Sequence, residues 1–232
     1  LRDARTRVLL LASTTLVSIN WLVFIWAIGH DRVLEASLGY YINPLMNILL
    51  GVLVLRERLT GWQGVAVALA VAGVLNLGLR VEGFPWVSLA LAGSFSLYGL
   101  LRKTMRVESI DGLFVETALL TLIALSYLVV LGVRGAGALT LAEPGMAGLL
   151  MLSGAVTAIP LILFASGARR LDYATVGFFQ YVAPSGQFLL AVLVYHEPFT
   201  PAHLVTFALI WTALAIFSVQ SFGAARRRPV GR

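Results

Sequence analysis

The side chains of this sequence that could do chemistry inside its apolar runs are mostly neutral. Residues 41–60 read YINPLMNILLGVLVLRERLT, an oily run interrupted by two asparagines and a proline. Tyr40, Asn43 and Asn47 are spaced i, i+3, i+7 and so share one helical face. Residues 181–200, YVAPSGQFLLAVLVYHEPFT, repeat the pattern 140 positions later, with Tyr41 on Tyr181, Pro44 on Pro184, Glu57 on Glu197 and Thr60 on Thr200. The positions matching Tyr40 and Asn47 hold Gln180 and Gln187, so each segment carries a polar pair one heptad apart with a proline between. Pro44 and Pro184 each remove an amide donor and leave a carbonyl without its usual partner. Neutral hydrogen-bonding groups and freed backbone suit a small polar or zwitterionic ligand. The same amides could instead only tie helices together, at ~0.6 kcal/mol per bond, and the prolines could only kink. The sequence leaves both readings open.

Further candidates lie outside these two segments. Ser13 and Asn20 share a face, with Trp21 beside Asn20. Ser153, Thr157 and Pro160 lie in a later run, Pro160 as a third kink. Ser94, Tyr98 and Arg102 follow one another at spacing four, and Tyr98 is the member expected to reach a cavity. The candidate binding set is therefore Asn20, Trp21, Tyr40, Asn43, Asn47, Tyr98, Gln180, Tyr181 and Gln187. Glu35 sits at the edge of an apolar run, and Glu116 lies about one turn inside another. A carboxylate at mid-helix costs ~3 kcal/mol, less near the end, and marks a proton or substrate path or an ion pair. For Glu116 the partners offered across a short loop are Arg102 and Lys103.

Several chemistries are excluded or unsupported. The chain has no cysteine, which rules out disulfides, thiolate metal sites and cysteine nucleophiles. His30, His196 and His203 all fall near span ends, with no H-E-x-x-H, no G-x-S-x-G and no Walker A motif. The expectation is no enzyme, no cofactor, no metal and no nucleic acid. Of the 232 residues 59% are hydrophobic and 12% charged, against about 25% charged in soluble domains. The net charge of +6 comes in short clusters between apolar runs, which points to a lipid surface.

These residues must be positioned by helices. Eight runs approach the ~20 residues that a bilayer needs: 8–28, 34–55, 62–79, 85–101, 113–133, 147–168, 174–195 and 202–220. No run alternates with period 2, so strands are a poor reading. With the N-terminus inside, Lys and Arg number 14 inside and 3 outside, a strong positive-inside bias that puts both ends of the chain in the cytoplasm. Thr60 to Gln63 reads as a capping box and Thr200-Pro201 as a cap with proline at N1. Glu57 and Glu197 then favour the positive starts of the helices that follow them. Gly64, Ala68 and Ala72 form a small-residue face suited to a homodimer or to an internal contact.

The repeat extends beyond the opening segments. Ser13 falls on Ser153 and Phe24 on Phe164 at offset 140, while Ala36 falls on Ala174 at offset 138. The first three spans thus match the last three but enter from opposite sides, the inverted plan of many secondary transporters. The fourth and fifth spans have no earlier counterpart, because subtracting 140 puts it before residue 1. The reading expects a chain truncated from a ten-span parent with five spans per repeat.

INWLVFIWA at 19–27, LEASLGYYINPLMNILLGVLVLRERL at 34–59, SFSLYGLLRK at 94–103 and GFFQYVAPSGQFLLAVLVYHEPF at 177–199 carry a resemblance. From Ser18 to about Phe222 the chain resembles the EamA drug/metabolite transporter family and, within it, the RarD branch of chloramphenicol-sensitivity proteins. The resemblance implies an all-α membrane bundle of inverted five-helix repeats in the bacterial inner membrane. Residues 1–80 would be the last three helices of one repeat, 85–222 the second repeat, and 223–232 a basic tail. It implies an alternating-access carrier whose partners are the bilayer and a small-molecule substrate, amino acid-like or antibiotic. The alternative is a scaffold or sensor that transports nothing.

Overall fold

The computed structural model describes residues 3–30, 32–79, 84–135, 144–186 and 201–227. All regular structure among them is helical: α1 (Ala4–Gly29), α2 (Val33–Leu53), α3 (Gly61–Gly78), α4 (Trp86–Thr104), α5 (Ser109–Val133), α6 (Pro144–Arg170), α7 (Tyr173–Gln180) and α8 (Pro201–Arg227). Three stretches, Ala4–Gly29, Ser109–Val133 and Met151–Arg170, are long and apolar enough to cross a membrane, and α2, α3 and α8 carry shorter apolar stretches. A helix suits such a setting because it satisfies its backbone groups internally. Leu122, Ile123, Leu125 and Val129 of α5 and Met151, Val156 and Ile159 of α6 are exposed, an apolar exterior matched to acyl chains.

Helix ends follow local chemistry. Asp3 caps α1 by accepting from the Arg5 amide at 3.2 Å. The Thr60–Gln63 capping box forms: the Gln63 amide donates to Thr60 Oγ1 at 3.3 Å, and the Thr60 amide donates to Gln63 Oε1 at 2.8 Å. α2 closes through Arg56 in the left-handed region (φ 58°), while the Glu57 amide bonds back to Gly51 O at 2.9 Å. The bond reaches back six residues, and the tight reversal at Arg56 leaves Glu57 facing the second half of the chain.

The three prolines behave differently. α2 runs unbroken through Pro44 and α6 through Pro160. The seventh run, expected as one span over 174–195, instead stops at Gln180, turns at Tyr181 and resumes as helix over 182–186. Gln180 is four residues before Pro184, the carbonyl that a proline ring both clashes with and leaves without a donor.

The packing brings matched helices of the repeat together in opposite directions. Along α2 and α7, Tyr41 meets Pro184, Pro44 and Asn47 meet Gly177, and Gly51 meets Ala174. A Cβ at Gly177 would sit 2.6 Å from Pro44 O, so only glycine permits this crossing. α3 and α8 also run antiparallel, with Gly73 against Ile210 and Asn76 Nδ2 donating to Thr206 Oγ1 at 2.9 Å. The main core joins these four helices through Leu38, Ile48, Ala66, Ala70, Phe178, Phe207, Ile210 and Phe217. Phe178 stacks on Phe217 at 3.8 Å. α4 packs on α1, α2 and α6, and α5 packs on α1. The small residues α3 presents to α8 are Ala66, Ala70 and Gly73; the face of Gly64, Ala68 and Ala72 is exposed, so of its two readings the internal contact is not made among the described residues.

Candidate functional site

The matched helices α2 and α7 enclose, with α1, α4 and α6, a cavity of about 240 Å³. Its polar groups are neutral and come from different elements: Asn20 from α1, Tyr40 and Asn43 from α2, and Gln180 from α7. Trp21, Phe24, Leu91, Phe95, Leu161 and Pro184 supply rings and apolar wall, with Gly39 and Ala183 leaving room. Asn20 is anchored on α4, its Nδ2 donating to Leu91 O at 2.9 Å and to Ser94 Oγ at 3.0 Å. Asn43 Oδ1 accepts from Ser96 Oγ at 2.6 Å. Gln180 Oε1 accepts from Asn47 Nδ2 across the α2–α7 crossing. Each amide is thus held by a neighbouring helix, the second layer of support that keeps a polar site in one geometry. The Tyr40 and Phe24 rings meet edge to face at 6.0 Å, as do Trp21 and Phe24 at 6.3 Å.

A second polar cluster lies where α1, α4 and α5 meet. Glu116 is 1% exposed. Ser13 Oγ approaches its Oε1 at 2.5 Å, and Tyr98 OH donates to its Oε2 at 3.2 Å. Arg102 Nη1 stands 3.6 Å from Oε1, while Nη2 donates to Ser109 O at 2.8 Å and to Glu108 O at 3.3 Å. Gly112 makes room for this guanidinium, since a Cβ there would lie 1.6 Å from Arg102 Nη1.

A third cluster ties the halves together. Glu57 accepts from the amides of Tyr173 at 2.6 Å and Ala174 at 2.9 Å, the first turn of α7. Lys103 Nζ lies 3.9 Å from Glu57 and donates to Ala168 O at 3.1 Å and to Leu171 O at the end of α6. The acid therefore favours a helix start, but that of α7 and not of the adjacent α3, because the turn at Arg56 carries it there.

Residues 2–79 match the EamA-like transporter family. A protein named "Uncharacterized transporter" from Vibrio cholerae is 50% identical over 95% of this chain and 74% of its own length. The chain belongs to the EamA-like transporter family. "Protein RarD" of Escherichia coli is 43% identical over 94% of this chain and 74% of its own length, which places the chain in the RarD branch. "Uncharacterized transporter YojE" of Bacillus subtilis is 48% identical over 90% of this chain and 70% of its own. A crystal structure superposes with a TM-score of 0.66 at 20% identity over 91% of this chain and 76% of that one, which supports the fold alone. This EamA chain is a multi-pass inner-membrane transporter, and its partners are lipid and a small molecule.

Of the residues singled out in its sequence, the EamA fold brings Asn20, Trp21, Tyr40, Asn43 and Gln180 to one cavity. Asn47 lies beneath that wall, 0% exposed, at the helix crossing. Tyr98 is buried beside Glu116 and Tyr181 in the main core, and neither is among the residues lining the cavity. Gln187, Glu197 and Thr200 lie outside the described residues. Arg102 faces Glu116, and Lys103 faces Glu57. Sequence reasoning passed over Phe24, Leu91, Phe95 and Leu161 as cavity wall and Ser13 as a partner of Glu116. Apolar residues among apolar residues carry no signal, whereas Ser13 lies one heptad from Asn20 on the same face.

Proposed function

We infer that this chain forms the binding core of a secondary carrier that passes a small neutral or zwitterionic molecule across the inner membrane by alternating access. The observation that carries the reading is the cavity at the antiparallel α2–α7 crossing, lined by neutral polar groups from both matched helices. Tyr40 and Gln180 are repeat equivalents and line the same space. A volume of about 240 Å³ is the scale of an amino acid-sized molecule, just below the usual range of ligand pockets. With no charged side chain in the lining among the described residues, Asn20, Asn43 and Gln180 would orient the ligand by neutral hydrogen bonds. Trp21, Phe24, Tyr40 and Phe95 would favour a ring or apolar group. One RarD relative, from Pseudomonas aeruginosa, is named "Chloramphenicol-sensitive protein RarD", which makes amphenicol-type antibiotics one class to try beside amino acids. The distribution of Lys and Arg supports an orientation with both ends of this chain in the cytoplasm.

Proteoliposomes carrying the protein and challenged with radiolabelled amino acids and chloramphenicol test the reading. Saturable uptake of at least one compound, reduced tenfold or more by Asn43→Leu with protein level unchanged, supports it. No flux of any compound contradicts it and favours a scaffold; uptake indifferent to Asn43→Leu contradicts binding at this cavity.

A further inference from the structure

We propose that Glu116 is a reversible proton site and that it couples proton movement to occupancy of the cavity. The argument begins with a count of hydrogens. Ser13 Oγ carries one proton yet lies within hydrogen-bond distance of two acceptors, Glu116 Oε1 at 2.5 Å and Leu10 O at 3.0 Å. With Glu116 ionised, Ser13 donates to the carboxylate. With Glu116 protonated on Oε1, the acid donates to Ser13 Oγ, and the serine hydroxyl turns to Leu10 O. Both states leave Ser13 Oγ and Glu116 Oε1 hydrogen-bonded with heavy atoms in place. Tyr98 OH donates to Oε2 in either state.

Arg102 also tolerates both states. Its Nη1 at 3.6 Å is too far to hydrogen-bond Glu116, and Nε and Nη1 are buried without a hydrogen-bond partner. The guanidinium is instead tied by Nη2 to the carbonyls of Glu108 and Ser109, bonds that do not depend on the charge of Glu116. Arg–carboxylate pairs are frequently bidentate; this one holds the cation near without fixing the acid. Buried ionisable groups within a membrane mark proton relays and ion paths.

Other groups around the site are few. α1 offers Ser13, which does not titrate; α4 offers Tyr98 and Arg102. From α6, Arg169 reaches the start of α5 but donates to Val107 O at 2.9 Å. Asp111 lies on the exposed side of the first turn of α5. No second carboxylate among the described residues contacts Glu116 to share the proton.

Two links connect the site to the cavity. Asn20, in the cavity wall, stands seven residues along α1 from Ser13 on the same face. Phe95, also in the wall, packs its ring 5.8 Å from that of Tyr98. A molecule that displaces either one acts on the groups that hold the two oxygens of Glu116. The proton comes from water and returns to water, and no other bond is made or broken. The coupling role rests on the carrier reading above, whereas proton binding is measurable without flux, so each can fail alone.

Infrared spectra of the protein in lipid, recorded as pH is stepped, test the proposal. The expected result is a protonated-carboxyl band that titrates, vanishes in Glu116→Gln and shifts in frequency in Ser13→Ala, where the acid loses its acceptor. Filling the cavity with Ala183→Trp should displace the midpoint of the titration. Absence of the band at every pH, or its persistence in Glu116→Gln, overturns the proton site. If Glu116→Gln does not fold, a band unmoved by both Ser13→Ala and Tyr98→Phe overturns it equally. A midpoint unchanged in Ala183→Trp overturns the coupling.

Discussion

Glu57 accepts hydrogen bonds from the amides of Tyr173 and Ala174 at 2.6 and 2.9 Å, so a carboxylate at the end of α2 serves as the cap of a helix 116 residues further on. The first turn of a helix exposes four unpaired amides and a partial positive charge, and an acid placed there satisfies both. Glu57→Ala should cost about 0.5–2 kcal/mol, the range for loss of a cap, read as a lower thermal midpoint in detergent. Lys103→Met should cost less, because its ammonium is 3.9 Å from the acid and also bonds two carbonyls.

Gly177 and Gly64 make an opposed pair of substitutions. At Gly177 an added Cβ meets Pro44 O at 2.6 Å, a backbone atom that cannot turn aside. Gly177→Ala should destabilise by about 1–3 kcal/mol, as overpacking does. At Gly64 nothing lies within 4 Å of the added atom, so Gly64→Ala should be neutral or should stabilise α3 by up to ~1 kcal/mol. Equal loss of folded protein in both would contradict the antiparallel crossing.

Arg102 and Glu116 should behave as a coupled pair. Removing one partner of a buried ion pair costs about 3–5 kcal/mol, because the other charge is left uncompensated. Arg102→Leu alone should therefore be severe at neutral pH. The double variant with Glu116→Leu should lose less than the sum of the singles, measured as a double-mutant cycle on unfolding in mild detergent. Acid should soften the Arg102→Leu defect, since protonating Glu116 removes the orphan charge.

Much of this arrangement is written in the chain, and the rest fails for physical reasons. Apolar run length gave the helices, and the matched YxxP segments gave the correspondence of α2 with α7 and their opposite directions, because identical residues at a fixed offset survive any packing detail; that the two cross in contact came from the structure. The amide positions were visible since a polar group in hydrocarbon is costly enough to stand out. Periodicity puts residues on a face but does not say how deep a crossing buries them. Asn47 thus shares the face of Tyr40 and Asn43 yet lies under the wall, where Gly177 lets the two backbones close. The break after Gln180 was likewise hidden: Pro44 and Pro184 occupy matched positions, but only the second interrupts its helix. Glu57 was misjudged in its partner because a left-handed turn at Arg56, a residue type with no preference for one, decides which helix it meets.

The cavity residues should be accessible in turn from each side of the membrane if the carrier account is right. The chain has no cysteine, so a single Ala183→Cys is a clean reporter, and position 183 is exposed in the cavity wall. Sealed vesicles of either orientation, treated with a membrane-impermeant thiol reagent, give the most direct measurement. The account predicts labelling from both sides, slowed from both by a transported compound. Labelling from one side only, or from neither, would contradict alternating access at this cavity.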